Sequence, residues 1–375
     1  MTGWEMKSLN ELGFLSRGKS KHRPRDAAHL YGGPYPFIQT GDVKHANLYI
    51  TSYRQTYSEA GLAQSKLWEP GTLCITIAAN IADTSILKIN ACFPDSVIGF
   101  VPDEDKADTR FVKYLFDAML QKKFKTFTQG AAQDNLSQGK LLSLKFPIPR
   151  VSVQKKIANA LSAYDDLIEN NRRRIQLLEE SARLIYREWF VRLRFPGHEH
   201  VKVVDGVPEG WEKKPVGEVA PLSYGKALKK DLRIPGPFPV YGSSGKIGNH
   251  NKALVKGPGI ILGRKGNVGS VFWSSKDFFP IDTVYFLPKE KASLYLYYVL
   301  MHMSFINTDV AVPGLNRDFA HSKEMFIPDS KTLLLFDELV TSIHHQIDCL
   351  TTYNQSLAST RDLLLPRLMN GEVAL

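Results

Sequence analysis

The chain has 375 residues, more than one small core uses, and by length it suits two or three domains. Its 43% hydrophobic and 23% charged residues are those of a soluble globular protein, its longest apolar run (294–303) is far short of the ~18 residues of a membrane span, and no basic start with an apolar stretch marks a signal peptide. A net charge of +10 asks for a polyanionic partner, and nucleic acid is the commonest one.

From the N-terminus, the first notable stretch is GFLSRGKS, Gly13–Ser20. It fits G-x-x-x-x-G-K-[ST], the phosphate loop of nucleotide hydrolases. Such a loop follows a buried apolar strand and opens a helix. Here EMKSLNEL precedes it and KHRPRD, with Pro24, follows. The sequence therefore predicts a basic loop in which Arg17, Lys19 and Lys21 are free to meet phosphates. The rival reading is an ATPase or nuclease that uses Lys19 and Ser20.

Further along, TLCITIA (72–78) and SVIGFVP (96–102) read as short strands and residues 108–124 as a helix. In the second half GIILG (259–263) and TVYFLP (283–288) read as strands and LYLYYVLMHM (294–303) as a helix. FPGHEH (195–200) reads as a linker.

The halves are weak copies of each other. GWEMKSLNEL from Gly3 is echoed by GWEKKPVGEV from Gly210, and PYPFIQTGDV from Pro34 by PFPVYGSSGK from Pro237. EPGTLCITIA (69–78) resembles KGPGIILGRK (256–265), and CFPDSVIGFVPDED (92–105) matches FFPIDTVYFLPKEK (278–291). QGAAQDNLS (129–137) faces VPGLNRDFA (312–320), and KFPIPR (145–150) faces EMFIPD (324–329). Matches in one order mark an internal repeat. The offset falls from 207 residues at Gly3 and Gly210 to 188 at Gly71 and Gly259, so the first copy carries a longer loop, expected within KHRPRDAAHLYGG. The second copy of the phosphate-loop match, APLSYGKA, keeps only Gly225 and Lys226 of the pattern, which also argues against an ATP site.

Each copy runs into a heptad pattern. In the first, Ile157, Leu161, Tyr164, Ile168, Asn171, Ile175, Leu178, Ala182, Ile185 and Trp189 alternate four and three apart. Asn171 is polar at a seam position, where such a residue often fixes register. In the second, Phe336, Leu339, Ile343, Gln346, Leu350, Tyr353, Leu357, Thr360 and Leu364 give the expected seam, and Pro366 is expected to end or kink the helix. Ile157 to Trp189 would span roughly 50 Å, and helices that long need a partner, the other copy being the obvious one. The order globule, rod, globule, rod leaves parallel and antiparallel pairing both open.

Catalytic groupings are sparse. No [DNS]-P-P-[YFW] or G-x-G-x-x-G motif follows a strand. PDEDK (102–106) reads as a surface turn, because nuclease carboxylates come from separate strands. HEH (198–200) lacks the i, i+4 spacing of a helical zinc pair. Three widely spaced cysteines, Cys74, Cys92 and Cys349, speak against a disulfide framework or a zinc site and for a reducing, cytoplasmic setting. What recurs is glycine-rich loops with amides and basic side chains, suited to base edges and phosphates. The candidate residues are Gln39, Thr40, Asn80, Gln133 and Asn135 in the first half. In the second half they are Ser243, Ser244, Arg264, Lys265, Asn267, Asn316 and Arg317.

On the Gly-Trp starts, PFIQTGDV, GRKGNVGSV, the helix QKKIANALSAYDDLIENNRRRIQLLEESARLIYREWF and the closing LLLPRLMNGEV, the chain resembles the specificity (S) subunit of type I restriction-modification enzymes over nearly its whole length. The resemblance implies a mixed α+β (α/β) fold with two pseudo-repeated target-recognition domains, 1–150 and 209–331. Spacer helices at 151–192 and 332–375 would pack as an antiparallel coiled coil, with a linker at 193–208. It implies a non-catalytic chain that binds double-stranded DNA, each recognition domain taking half of a split target. The partners implied are two modification (methyltransferase) subunits and motor-nuclease restriction subunits, with no membrane. No cofactor is expected in this chain; S-adenosylmethionine, ATP and Mg belong to the partner subunits. Because the two sets of loops differ, the expected target is asymmetric. A stand-alone or cut-both-sides methyltransferase system and a coiled-coil scaffold with no DNA role are the alternatives.

Overall fold

A computed structural model describes residues 3–78, 82–127, 138–305 and 314–373. The chain forms two compact units, Met1–Asn171 with Tyr353–Leu375, and Arg172–Thr352. The unit boundaries fall inside the long helices, so each unit takes a stretch of both.

Three sheets of matching order recur in both units, and the second adds the short pair Val203–Val204 with Val207–Pro208. In the first unit the strands Gly13–Arg17, Val97–Pro102, Leu73–Thr76, Thr84–Leu87 and Tyr49–Ile50 lie side by side in that order. In the second, Ser223–Tyr224, Val284–Leu287, Gly259–Gly263 and Val271–Ser274 repeat the first four. A second sheet is built on a parallel pair in both units: Tyr31–Phe37 beside Ala91–Cys92, and Phe238–Gly242 beside Phe279–Pro280. An antiparallel ribbon ties the start of each copy to its end, Glu5–Lys7 with Phe146–Ile148 and Glu212–Pro215 with Glu324–Ile327.

Register makes the repeat quantitative. Phe37 pairs with Cys92 as Val240 pairs with Phe279. The chain from Phe37 to Cys92 is the longer of the two, and it holds the helices Thr40–His45 and Glu59–Ala63 and the strand Tyr49–Ile50. Most of the extra length therefore follows Phe37, instead of lying in KHRPRDAAHLYGG, where Tyr31 already begins a strand. The weak PYPFIQ match could not fix where the two copies part.

The glycine-lysine turns have the same structural cause in both units. Gly18 N–H donates to the Val97 carbonyl and Lys19 N–H to that of Phe93, at 2.9 and 3.1 Å. Gly225 and Lys226 do the same to Val284 and Pro280, at 3.1 and 3.0 Å. A β-carbon at Gly18 would sit 2.2 Å from the Phe93 carbonyl oxygen, and one at Gly225 2.0 Å from that of Ile281. Only glycine lets the backbones approach this closely.

The first long helix runs Val151–Tyr186 and continues as a π-helical turn, Arg187–Val191; the second runs Ser330–Met369. It passes through Pro366 to Met369, three residues beyond the expected stop. In the first unit Ile157, Leu161, Ile168 and Asn171 are buried and Tyr164 partly so, with Leu357 and Leu368 from the second helix also buried. Arg361 pairs with the buried Asp165, which also accepts a hydrogen bond from the Tyr114 hydroxyl. Asn171 Nδ2 donates to Asn354 Oδ1 at 2.9 Å. Partners 165/361 and 171/354 run in opposite senses, so the helices pair antiparallel in this unit.

In the second unit Ile175, Leu178, Ile343 and Leu350 are partly buried, while Ala182, Tyr186, Phe336 and Val340 are buried among aromatic rings from Leu294–His302. Every second position of the expected second seam is shifted by one residue. Leu339 is 48% and Tyr353 52% exposed, and Gln346 and Thr360 also face solvent. The inward residues are Val340, Ile347, Asn354, Arg361 and Leu368. Asn354 and Arg361 look like surface residues in the sequence, which favoured the phase containing Tyr353; their partners Asn171 and Asp165 are what make the other phase work.

Two stability measurements follow. Asn354→Leu alone strands the Asn171 amide and should lower the unfolding free energy by about 1–3 kcal/mol. Asn171→Leu together with Asn354→Leu should recover most of that in a urea titration. His344 is half-enclosed by Trp273, Tyr297 and Tyr298, with the Tyr298 hydroxyl 2.8 Å from Nε2. Burial pushes its pKa down from 6.5 to about 4, so the unfolded chain takes up the proton first. Stability should therefore fall as pH drops from about 6.5 to about 4, by up to roughly 3 kcal/mol, and His344→Phe should flatten that limb.

Candidate nucleic-acid interface

In the second unit three loops close on one another. Ser243 and Ser244 join the strands Phe238–Gly242 and Gly245–His250. Ser270 Oγ donates to the Ser243 carbonyl at 2.6 Å, and Asn267 Nδ2 lies 3.5 Å from Ser244 Oγ. Gly266, at a φ of 81° that side chains rarely adopt, turns the second loop. Arg264 and Lys265 both donate backbone N–H to the Thr283 carbonyl. Leu315 N–H donates to the Arg264 carbonyl at 2.8 Å and Lys265 bridges to Gly314, which brings in the third loop.

All seven residues expected in this half thus lie on one joined surface, but they are not equally available. Asn316 caps the helix Arg317–His321, its Oδ1 accepting the Asp318 and Phe319 amides at 2.7 and 3.3 Å. Capping removes that oxygen as a base acceptor. Ser243 is nearly buried. Ser244, Lys265 and Asn267 are exposed, and Arg264 and Arg317 are half-exposed.

One residue of this surface lies outside the set expected from sequence. Tyr224 ends the edge strand Ser223–Tyr224 and is 49% exposed. The guanidinium carbons of Arg264 and Arg317 each lie 5.1 Å from its ring centroid. Tyr285 meets it edge-on at 5.0 Å and donates its hydroxyl to the Leu315 carbonyl at 2.9 Å. Burial first, then the Tyr224 phenol, push the Tyr285 pKa up, so it remains a donor. The sequence signal was a tyrosine set in the repeated glycine-lysine turn.

In the first unit Arg17 ends the edge strand Gly13–Arg17, and Arg17, Lys19 and Lys21 are exposed. Their loop is held from behind. Ser65 Oγ donates to the Lys19 carbonyl at 2.8 Å, and Gln64 Oε1 accepts the Lys21 and His22 amides at 2.5 and 3.0 Å. Lys66 sits 3.6 Å from the Trp68 ring centroid; burial, then Lys19, lower its pKa. Gln39 starts the helix Thr40–His45, where its amide donates to the Gln55 side chain and Thr40 is half-exposed. Asn80, Gln133 and Asn135 lie outside the described residues.

The phosphate-loop match is not a phosphate cradle. Gly13–Arg17 is a strand, the Gly18 and Lys19 amides are spent on Val97 and Phe93, and Ser20 is buried 3.4 Å from the Tyr57 hydroxyl. PDEDK is an exposed turn in which Lys106 pairs with Asp103 at 2.5 Å and holds its carboxyl below the usual range. Among the described residues no group of three or more His, Cys, Asp or Glu could hold a metal, and no helix is long and apolar enough to cross a membrane.

The family model of the type I restriction modification DNA specificity domain matches residues 1–180 and 208–331. The chain belongs to this family. It is similar to the type I restriction enzyme MjaIX specificity subunit of Methanocaldococcus jannaschii, at 23% identity over 99% of this chain and 93% of that one. The HindI specificity subunit of Haemophilus influenzae is 25% identical over 45% of this chain and 38% of its own length. The crystal structure of a type I restriction-modification S subunit from M. genitalium shares the fold, with a TM-score of 0.61 at 18% identity, covering 97% of this chain and 96% of that one. Against the rival ATPase reading, calorimetric titration of this specificity subunit with ATP and Mg should show no saturable heat. Saturable binding that Lys19→Ala abolishes would overturn this.

Proposed function

We propose that this specificity subunit reads a bipartite, asymmetric DNA target, one half with each unit's loops, while the helices set the gap. The observation that carries the reading is a repeated framework with different loops. Arg17 pairs with Ile98 where Tyr224 pairs with Tyr285, and Thr76 pairs with Val97 where Gly263 pairs with Val284. The same positions thus offer Arg17 and Ile77 in one unit and Tyr224 and Arg264 in the other. Unlike loops on like frames suit two different half-sites. The basic loop Arg17–Lys21 serves phosphates, and phosphate contacts orient while base contacts specify.

The helices also support docking of modification subunits. Leu177, Leu184 and Val191 recur seven apart with 61, 44 and 45% of their surface exposed, an apolar stripe separate from the buried seam. On the second helix Leu334 and Leu339 are likewise exposed, at 61 and 48%. Two modification subunits would bring S-adenosylmethionine and the methylation chemistry, and restriction subunits would bring ATP hydrolysis and cleavage. The chain itself supplies recognition and spacing.

The test is a modified-base map of the host genome with the gene intact and deleted. Methylated adenines at one two-part motif should vanish on deletion. Four residues inserted into each helix, after Asn171 and before Asn354, add about 6 Å, near two base-pair steps of about 3.4 Å. The gap should lengthen while both half-site sequences stay. Altered half-site bases would sink the ruler mechanism. Lys19→Ala with Lys21→Ala should weaken binding evenly across sequences and lower the log–log salt slope by about 0.9 for each phosphate no longer neutralised.

A further inference from the structure

The geometry points to a guanine in the half-site of the second unit, read by Arg264 and Arg317 and held for reading by Tyr224. This rests on the DNA-reading role proposed above. Two guanidinium groups over one half-exposed phenol ring are an unusual concentration of positive charge. Among the described residues neither has a carboxylate within ion-pair distance, although Asp318 is next to Arg317 in sequence. Other arginines, Arg25, Arg110 and Arg361 among them, are paired with acids. Arg264 gives one N–H to the Asp282 carbonyl at 3.2 Å, and Arg317 Nε is buried with no partner. His321 offers the pair no acceptor: burial and then Arg317 favour its neutral form, its Nε2 is taken by the Leu222 amide at 3.0 Å, and its other ring nitrogen then carries the proton. The outward N–H groups of the two guanidiniums are left for an acceptor from outside the chain; the buried Arg317 Nε is not among them.

A phosphate and a guanine edge are the two acceptors that DNA offers to arginine. The shape of the cluster favours the guanine. A phosphate contact needs only a mobile charge, which Lys226 and Lys265 already provide on exposed side chains. The cation–π contacts with Tyr224, 5.1 Å from each guanidinium carbon, instead restrict where both groups can lie, and the two acceptors of one guanine edge then give one bond to each arginine, O6 to Arg264 and N7 to Arg317. The hydroxyl of Tyr285, bonded to Leu315, fixes the ring against which Tyr224 rests. Tyr224 is thus a positioning residue and the arginines are the contacts. Among the described residues the first unit has Arg17 and the buried Ile77 at the positions that match Tyr224 and Arg264.

The experiment uses the specificity subunit assembled with its modification subunits. Methylation motifs are mapped for wild type, Arg264→Ala, Arg317→Ala, Arg317→Lys, Tyr224→Ala and Tyr224→Phe. The expected wild-type motif carries a guanine at which both arginine-to-alanine variants lose about five- to 150-fold discrimination, the other half-site and the gap remaining intact. Tyr224→Ala should relax the same base and Tyr224→Phe should not. Arg317→Lys keeps the charge and should still lose discrimination. A duplex with 7-deazaguanine at that base should bind wild type more weakly and Arg317→Ala no more weakly than the normal duplex does. Rescue by Arg317→Lys, or an even loss across sequences, means a phosphate contact and overturns the guanine assignment alone. A wild-type map with no two-part motif overturns the DNA-reading role as well.

Discussion

Asp165 and Asn171 lie inside a helix seam, where a lone carboxylate or amide is costly, and the arrival of Arg361 and Asn354 opposite them offsets that cost. The requirement fixes the direction of pairing and its phase at once. Apolar contacts alone tolerate a slip, because Leu339 or Tyr353 could fill a seam as well as Val340. A slip by one residue would bury a carboxylate without its cation. Tyr114, which donates to Asp165 from the helix Thr109–Phe127, extends the constraint from the helices to the first unit's sheets. The pairing is therefore keyed to the recognition fold that sits on it.

The second constraint is steric and repeated. Gly18 and Gly225 each let an edge strand close onto a neighbouring backbone, with the same two amides spent on equivalent carbonyls. The residue just before each glycine is then delivered to the same point of the frame, as Arg17 or as Tyr224. The frame can stay constant while that side chain changes. The apparent phosphate-loop signature is a by-product of this device: glycine is needed for backbone approach and lysine faces solvent.

Much of this was legible in the sequence. The halves, the strands Leu73–Thr76, Val97–Pro102, Gly259–Gly263 and Val284–Leu287, and both long helices carry strong periodic or β-branched signals. The first seam was legible because its apolar residues are unambiguous. The second was misphased at Leu339 and Tyr353 because polar partners, not apolar ones, decide it. The ribbons Glu5–Lys7 with Phe146–Ile148 and Glu212–Pro215 with Glu324–Ile327 are three or four residues long and join distant segments, so no local pattern announces them. The same applies to Tyr224, whose role exists only once residues 264 and 317 are brought to it.

The division between frame and loop explains how a chain can keep its assembly while its specificity varies. Groups that fix the fold in the first unit, Asp165, Arg361, Asn171 and Asn354, lie in the helices, in other parts of the sequence from the candidate base-reading residues. In the second unit the backbone bonds Arg264–Thr283 and Leu315–Arg264 position the loop without using the Arg264 side chain. A substitution at 264 therefore alters what the surface can bond and leaves the hydrogen bonds that shape the loop in place. Asn316 is the counter-example, since its side chain caps the helix that presents Arg317. Substitution there disturbs the presentation of its neighbour, and a change in base preference at 316 would act through backbone geometry and not through a missing bond to a base.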